Sequence, residues 1–143
     1  MEIVQLKEAS EEQLENINAL LQQLRANASE TIGSMEELKI IFGNPNAVLI
    51  VAKDGERIAG MATLYVLQKI GKRTGIVEDV VVDEAYRGHG LGEQVMKKVI
   101  ESAREHEIQS LSLTSRPARV AAHKLYKKLG FAPKETTPFS LRL

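Results

Sequence analysis

The chain has 143 residues, enough for one domain with its own hydrophobic core, and its 43% hydrophobic and 27% charged content is that of an ordinary globular protein. Lys plus Arg and Asp plus Glu each number 19, so the formal net charge is zero; this argues against a general nucleic-acid binder, which needs a basic surplus. With no cysteine, the sequence excludes disulfides, thiolate zinc sites and a covalent cysteine intermediate.

Residues 2–7 read as a short strand, and no basic stretch followed by an apolar run marks the N-terminus as a signal peptide. Ser10 with Gln13 forms a capping-box pattern that opens a helix, whose apolar face is Leu14, Ile17, Leu20, Leu21 and Leu24. A polar stretch, 26–33, separates it from a second helix that starts at Ser34 with Glu37 as its capping-box acid and stops at Gly43-Asn44-Pro45. Three strands follow with short turns, 47–52, 58–67 and 75–82, which predict an antiparallel meander.

After Val82 come a loop, a glycine-rich segment and a helix to about His106, with Val95, Met96, Val99, Ile100 and Ala103 as its apolar stripe. Residues 110–114 alternate as a half-buried strand, so strand, crossover helix and strand predict a parallel, right-handed pair. A last helix begins near Pro117, buries Ala121, Ala122, Leu125, Tyr126 and Leu129, and ends at Gly130; Phe139, Leu141 and Leu143 alternate in a closing strand. The predicted order is β-α-α-β-β-β-α-β-α-β, an α/β domain spanning 1–143 whose mixed, mostly antiparallel sheet is flanked by helices. No apolar run approaches the roughly 20 residues of a membrane helix, and His89, His106 and His123 share no metal-ligand spacing. A cytoplasmic protein without membrane, nucleic-acid or metal partners is the expectation.

The segment Arg87-Gly88-His89-Gly90-Leu91-Gly92 lies between a strand and a helix. Glycines there let backbone N–H groups approach a ligand and adopt positive φ, a helix N-terminus adds unpaired donors, and Arg87 adds a guanidinium suited to phosphate oxygens. A tight turn is the plainer use of such glycines, but its position and Arg87 favour a diphosphate site. The pattern is G-x-G-x-G without an acid on the next strand, and no Gly-Lys-Ser/Thr follows, so neither a dinucleotide fold nor a P-loop fits.

The run from Val80 to Gly92 resembles the acetyl-coenzyme A binding motif of the GNAT superfamily of N-acetyltransferases, R/Q-x-x-G-x-G/A. The segment from Ala122 to Phe131 is similar to that family's A-x-x-x-Y-x-x-x-G-F signature, and element order and spacing extend the resemblance over nearly the whole chain. The resemblance implies acetyl-coenzyme A as co-substrate, with no metal. It implies that the backbone of Val80, Val81 and Val82 binds the pantetheine arm, and that Arg87, Gly88, His89, Gly90, Leu91 and Gly92 hold the pyrophosphate. His89 would contribute only its N–H.

It also implies Tyr126 as the general acid toward the departing thiolate; an aromatic on a buried helix face is the alternative for that residue. The amine must lose a proton, and Glu78, directly or through water, is the expected base, with a structural ion pair as the rival role. Glu78 and Asp79, adjacent on a strand, should point to opposite faces. Glu78 to Val82 is also similar to the matching strand of glucosamine 6-phosphate N-acetyltransferases, a string shared by many other members. Many members carry Asn where this chain has Arg119, so Arg119 is expected either at a coenzyme A phosphate or exposed in the first helical turn.

The expected activity is direct acetyl transfer to a primary amine of a small molecule or protein. The rival is a non-catalytic acyl-coenzyme A sensor or interaction module of the same fold. The acceptor is expected under residues 25–34 and near 135–139, where Glu30, Glu78 and Asp79 suit a cation while Lys72 and Arg73 permit an anion. Homodimerisation is common in such folds, and no interface is legible.

Overall fold

The computed structural model describes residues 1–25 and 32–143. Strand β1 (Glu2–Gln5) precedes helices α1 (Glu11–Leu24) and α2 (Met35–Gly43); β2 (Ala47–Asp54), β3 (Arg57–Lys69) and β4 (Lys72–Val82) form the meander; α3 (Leu91–Glu105), β5 (Ser110–Ser112) and α4 (Val120–Lys128) complete the order. A 3₁₀ turn, Glu84–Tyr86, intervenes before α3. The five strands lie in the order β1-β2-β3-β4-β5. All pairs are antiparallel except β4–β5, which is parallel through the α3 crossover.

Both predicted capping boxes form. Ser10 Oγ accepts from the Gln13 N–H and the Gln13 side chain accepts from the Ser10 N–H, each at 3.1 Å; Ser34 and Glu37 do the same for α2. The first six residues of β2 are buried, because its sheet is covered on both faces. On one face Val48, Ile50, Ala62, Leu64 and Val77 pack against Val95, Met96 and Val99 of α3 and Tyr126 of α4. On the other, Leu49, Val51, Met61 and Val81 meet Ile17, Leu20 and Leu21 of α1 and Leu38 of α2.

Two expectations need correction. Helix α4 starts at Val120, three residues after Pro117, with Arg119 as its N-cap and no side-chain cap bond. The closing strand does not form: the chain beyond Gly130 has no regular structure, and Phe139, Leu141 and Leu143 are 92%, 82% and 110% exposed. Alternation gives a strand its two faces, but a strand also needs a hydrogen-bonded neighbour. Strand β5 is paired to β4 over only three residues, and nothing among the described residues pairs with its outer edge.

Candidate active site

The glycine loop is built on a fixed base. The Asp83 N–H donates to Ala59 O at 2.8 Å, while its carboxylate accepts from the Ala85 N–H at 3.0 Å and from Arg57 at 3.1 Å. The Ala85 N–H and, less strongly, Arg57 hold the Asp83 carboxyl below its ordinary range. Tyr86 donates its hydroxyl proton to Asp54 at 2.7 Å, with Arg57 over its ring. From this base Gly88 (φ 87°) and Gly90 (φ 75°) take left-handed conformations that side-chained residues rarely adopt.

Gly90 is the N-cap of α3 and offers no side chain to the helix. The N–H groups of the first turn, Leu91 to Glu93, therefore point out of the helix end without an intrahelical acceptor. A Cβ at Gly88 or Gly90 would meet nothing within 4 Å, so the space in front of this turn is open. Gly92 works differently: a Cβ there would lie 3.4 Å from Leu125 and 3.6 Å from Val82, so it brings α3 close to α4 and β4. Arg87 donates through Nε to Val82 O at 3.1 Å, and His89 is exposed.

Strand β4 pairs with β5 only from Thr74 to Ile76. Toward Val82 it keeps β3 on one side and loses β5 on the other, which leaves the backbone edge of Val80, Val81 and Val82 without a strand neighbour on the β5 side. Val80 and Val82 pack on the α3 core and Val81 on the α1/α2 core, so the three side chains build the interior.

The register with β3 passes from Thr63↔Glu78 to Met61↔Val81, so two β4 residues, Asp79 and Val80, oppose Ala62 alone. Asp79, at φ 53°, makes this bulge. The strict alternation that was expected to send Glu78 and Asp79 to opposite faces is thereby broken. Glu78 sits opposite Thr63, and its carboxylate and that of Asp79 both raise the Tyr65 hydroxyl, after burial, the main cause. Burial lifts both carboxyls above their ordinary range; Asp79 adds to the rise of Glu78, and Arg25 opposes that of Asp79. Tyr65 and the bulge had no local sequence signal, because both arise from the register between two strands.

Helix α4 presents Tyr126, 6% exposed, against the α3 core and edge-on to Phe131, with ring centroids 6.0 Å apart. No hydrogen bond engages its hydroxyl among the described residues. Burial raises its pKa and the Arg119 charge opposes the rise, so the phenol is protonated near neutral pH. Tyr126 and Glu78 line one cleft of about 1100 Å³, together with Ser112 to Ser115 and Phe131 to Lys134. Arg87 to Gly92 lie outside that lining.

Of the residues considered for the acceptor, Glu30 and the rest of 26–31 lie outside the described residues. Arg73 is turned to other work, donating to His106 O at 2.6 Å and to Gln68. It and Lys72 sit at the far end of β4, about 20 Å from the bulge along the strand. Among the described residues no group of three or more His, Asp or Glu could hold a metal ion, and no helix is long and apolar enough to cross a membrane.

Three features fit coenzyme A. The first turn of α3 and its two open glycines suit a pyrophosphate. The unpaired β4 edge suits the amides of a pantetheine arm. Ser115 Oγ, buried beside the cleft, has no hydrogen-bond partner among the described residues and is a polar group a ligand could satisfy.

The family model "Acetyltransferase (GNAT) family" matches residues 12–131. The chain is 36% identical over 127 residues to the "probable glucosamine 6-phosphate N-acetyltransferase 2" of Oryza sativa subsp. japonica, covering 81% of this chain and 74% of that protein. It is 32% identical over 80 residues to the L-2,4-diaminobutyric acid acetyltransferase of Shouchella clausii, covering 56% of this chain and 44% of that protein. Among solved structures, an acetyltransferase of Trypanosoma brucei superimposes with a TM-score of 0.76 at 28% identity, over 99% of both chains. The family model spans both the glycine loop and the α4 signature, and family membership implies acetyl-coenzyme A as the donor. The chain belongs to the GNAT family and is an acetyl-coenzyme A-dependent N-acetyltransferase.

Proposed function

We propose that residues 1–143 act as one domain that transfers acetyl directly to a primary amine, with Tyr126 as acid and Glu78 as base. The observation that carries this reading is that Tyr126 and Glu78 border one cleft, the Tyr126 phenol raised by burial and the Glu78 carboxyl raised by burial and by Asp79. Bound acetyl-coenzyme A supplies the thioester. Arg87 and the N–H groups of Gly88 to Gly92 hold its diphosphate at the start of α3. The β4 edge at Val80, Val81 and Val82 aligns its arm, and a backbone N–H near Val80 faces the developing negative charge on oxygen.

Glu78, its carboxyl raised by burial and by Asp79, takes the ammonium proton directly or through water. Tyr126 donates its proton to the departing sulfur. Arg119, whose charge reaches the Tyr126 hydroxyl, steadies that phenolate and borders the coenzyme. The acceptor is a small-molecule or protein amine; Glu78 and Asp79 favour a cationic group beside the reacting nitrogen. Amino-sugar phosphates and diamino acids are the first acceptors to examine, by similarity to the relatives named above.

A non-catalytic acyl-coenzyme A module would need neither a base nor an acid at the cleft. Thiol release from acetyl-coenzyme A across a panel of primary amines separates the two readings. Amine-dependent release supports transfer. Stabilisation by coenzyme A with no release for any amine would establish the binding module instead.

A further inference from the structure

Arg116 lies in the loop between β5 and α4, and its side chain reaches across to α1: Nη2 donates to Leu24 O, in the last residue of that helix, at 2.7 Å. Helix α1 packs on one face of the sheet and α4 on the other. Strands β4 and β5 pair only as far as Ile76↔Ser112. The Arg116 side chain therefore spans the opening that the two strands leave beyond this pair.

Both ends of the span belong to the reacting site. At the α4 end, Thr114, Ser115 and His123 line the same cleft as Glu78 and Tyr126, and His123 donates through Nε2 to Arg116 O at 3.1 Å. At the α1 end, Arg25 follows Leu24 and its charge acts on Asp79, the neighbour of Glu78. Gln23 accepts from the Glu84 N–H at 3.0 Å, which fixes this helix end against the base of the glycine loop. The plain role of Arg116 is to close a helix C-terminus, where a cation meets the carbonyl end of the dipole. That role uses one of the five N–H donors of a guanidinium. Arg116 is exposed, and no Asp or Glu forms an ion pair with it among the described residues. Arg104, Lys127 and Lys134 line the cleft from α3, α4 and the chain after α4; Arg116 instead reaches the α1 end, and its planar fork matches a carboxylate or phosphate.

We infer that Arg116 is a specificity residue for the acceptor, taking the carboxylate or phosphate of a small amine whose reacting nitrogen lies at Glu78. The acceptor is then an amine that also carries an acid. Such a molecule satisfies Glu78 and Arg116 together, whereas a polyamine leaves Arg116 unpaired and is repelled by it. The open donors of the fork bind the acid, and Leu24 O holds the guanidinium in place across the opening. This inference rests on the proposed transfer for the placement of the reacting nitrogen.

Matched pairs of compounds test it: amino acids against their amides, and amino-sugar phosphates against the unphosphorylated amino sugars. Binding is measured by calorimetry to the chain saturated with coenzyme A, where no transfer occurs, and kcat/KM by thiol release from acetyl-coenzyme A. The wild-type chain should prefer the anionic member by about tenfold or more in one type of pair, and that type identifies the acid as carboxylate or phosphate. In Arg116→Gln the preference should fall to within about threefold of unity, while Arg116→Lys, a point charge without the fork, should keep part of it. A residue that only ties down α1 would, when replaced, weaken both members of a pair and leave their ratio unchanged; that result overturns the inference, as does a wild type without preference in either type of pair. An Arg116-dependent binding preference without thiol release from any amine sustains the anion site and overturns the transfer reading instead.

Discussion

Asp79 holds a left-handed backbone conformation in the middle of a strand and carries a half-buried carboxylate whose pKa is raised mainly by burial. A raised acid pKa means that the folded state binds the proton more tightly than the unfolded chain. Its favourable contribution is then complete below the unfolded pKa and is lost as pH rises through the folded one. At neutral pH the ionised Asp79 costs stability, with Arg25 offsetting part of the cost. Asp79→Asn keeps a side chain tolerant of the left-handed region and removes the buried charge. Its melting temperature should exceed the wild type's at pH 7, and the gain should vanish as pH falls below the ordinary carboxylate range. A gain that persists at low pH would assign the effect to the backbone rather than to the charge.

At the level of elements, the legible parts were those whose cause is local. Ser10 with Gln13 and Ser34 with Glu37 mark helix starts because a cap needs only residues three apart. The apolar stripe of α3 was likewise readable from 3.6-residue spacing: Val95, Met96, Val99 and Ala103 are buried and Ile100 is half-buried. The failures have non-local causes. The bulge at Asp79 depends on how β4 registers against β3, and the tail 139–143 has a strand's pattern without a strand partner among the described residues. Tyr65 was missed for the same reason, since only the pairing brings it near Glu78 and Asp79.

The glycine loop yields a comparison internal to the fold. Gly90 at φ 75° and Gly71 at φ 85° are both left-handed, and a Cβ at either meets nothing within 4 Å. Valine at either position should cost about 1–2 kcal/mol of stability from backbone strain. Only Gly90→Val should also raise the KM for acetyl-coenzyme A, by tenfold or more, because its side chain enters the space before the α3 N-terminus. Equal KM values in the two variants would remove the loop from diphosphate binding. Thermal melts alongside initial rates separate the two effects.

At the scale of the whole molecule, the sheet divides the work. Its β4 edge and the α3 terminus suit the donor, the bulge sets two carboxylates side by side with Arg25 acting on Asp79 and Glu78 at the cleft, and α4 supplies Tyr126 there. Donor class was legible in the sequence because it rests on two short, local motifs. Acceptor class was not, because it rests on surfaces assembled from α1, β4 and the C-terminal tail. The central claim is that Tyr126 acts on the chemistry rather than on binding, and kinetics of Tyr126→Phe test it most directly. With a productive amine and varied acetyl-coenzyme A, kcat should fall roughly 10²- to 10⁴-fold while the KM for acetyl-coenzyme A stays within about threefold, the pattern of a lost transition-state interaction. An unchanged kcat would contradict the account and return Tyr126 to a purely structural place in the α3 core.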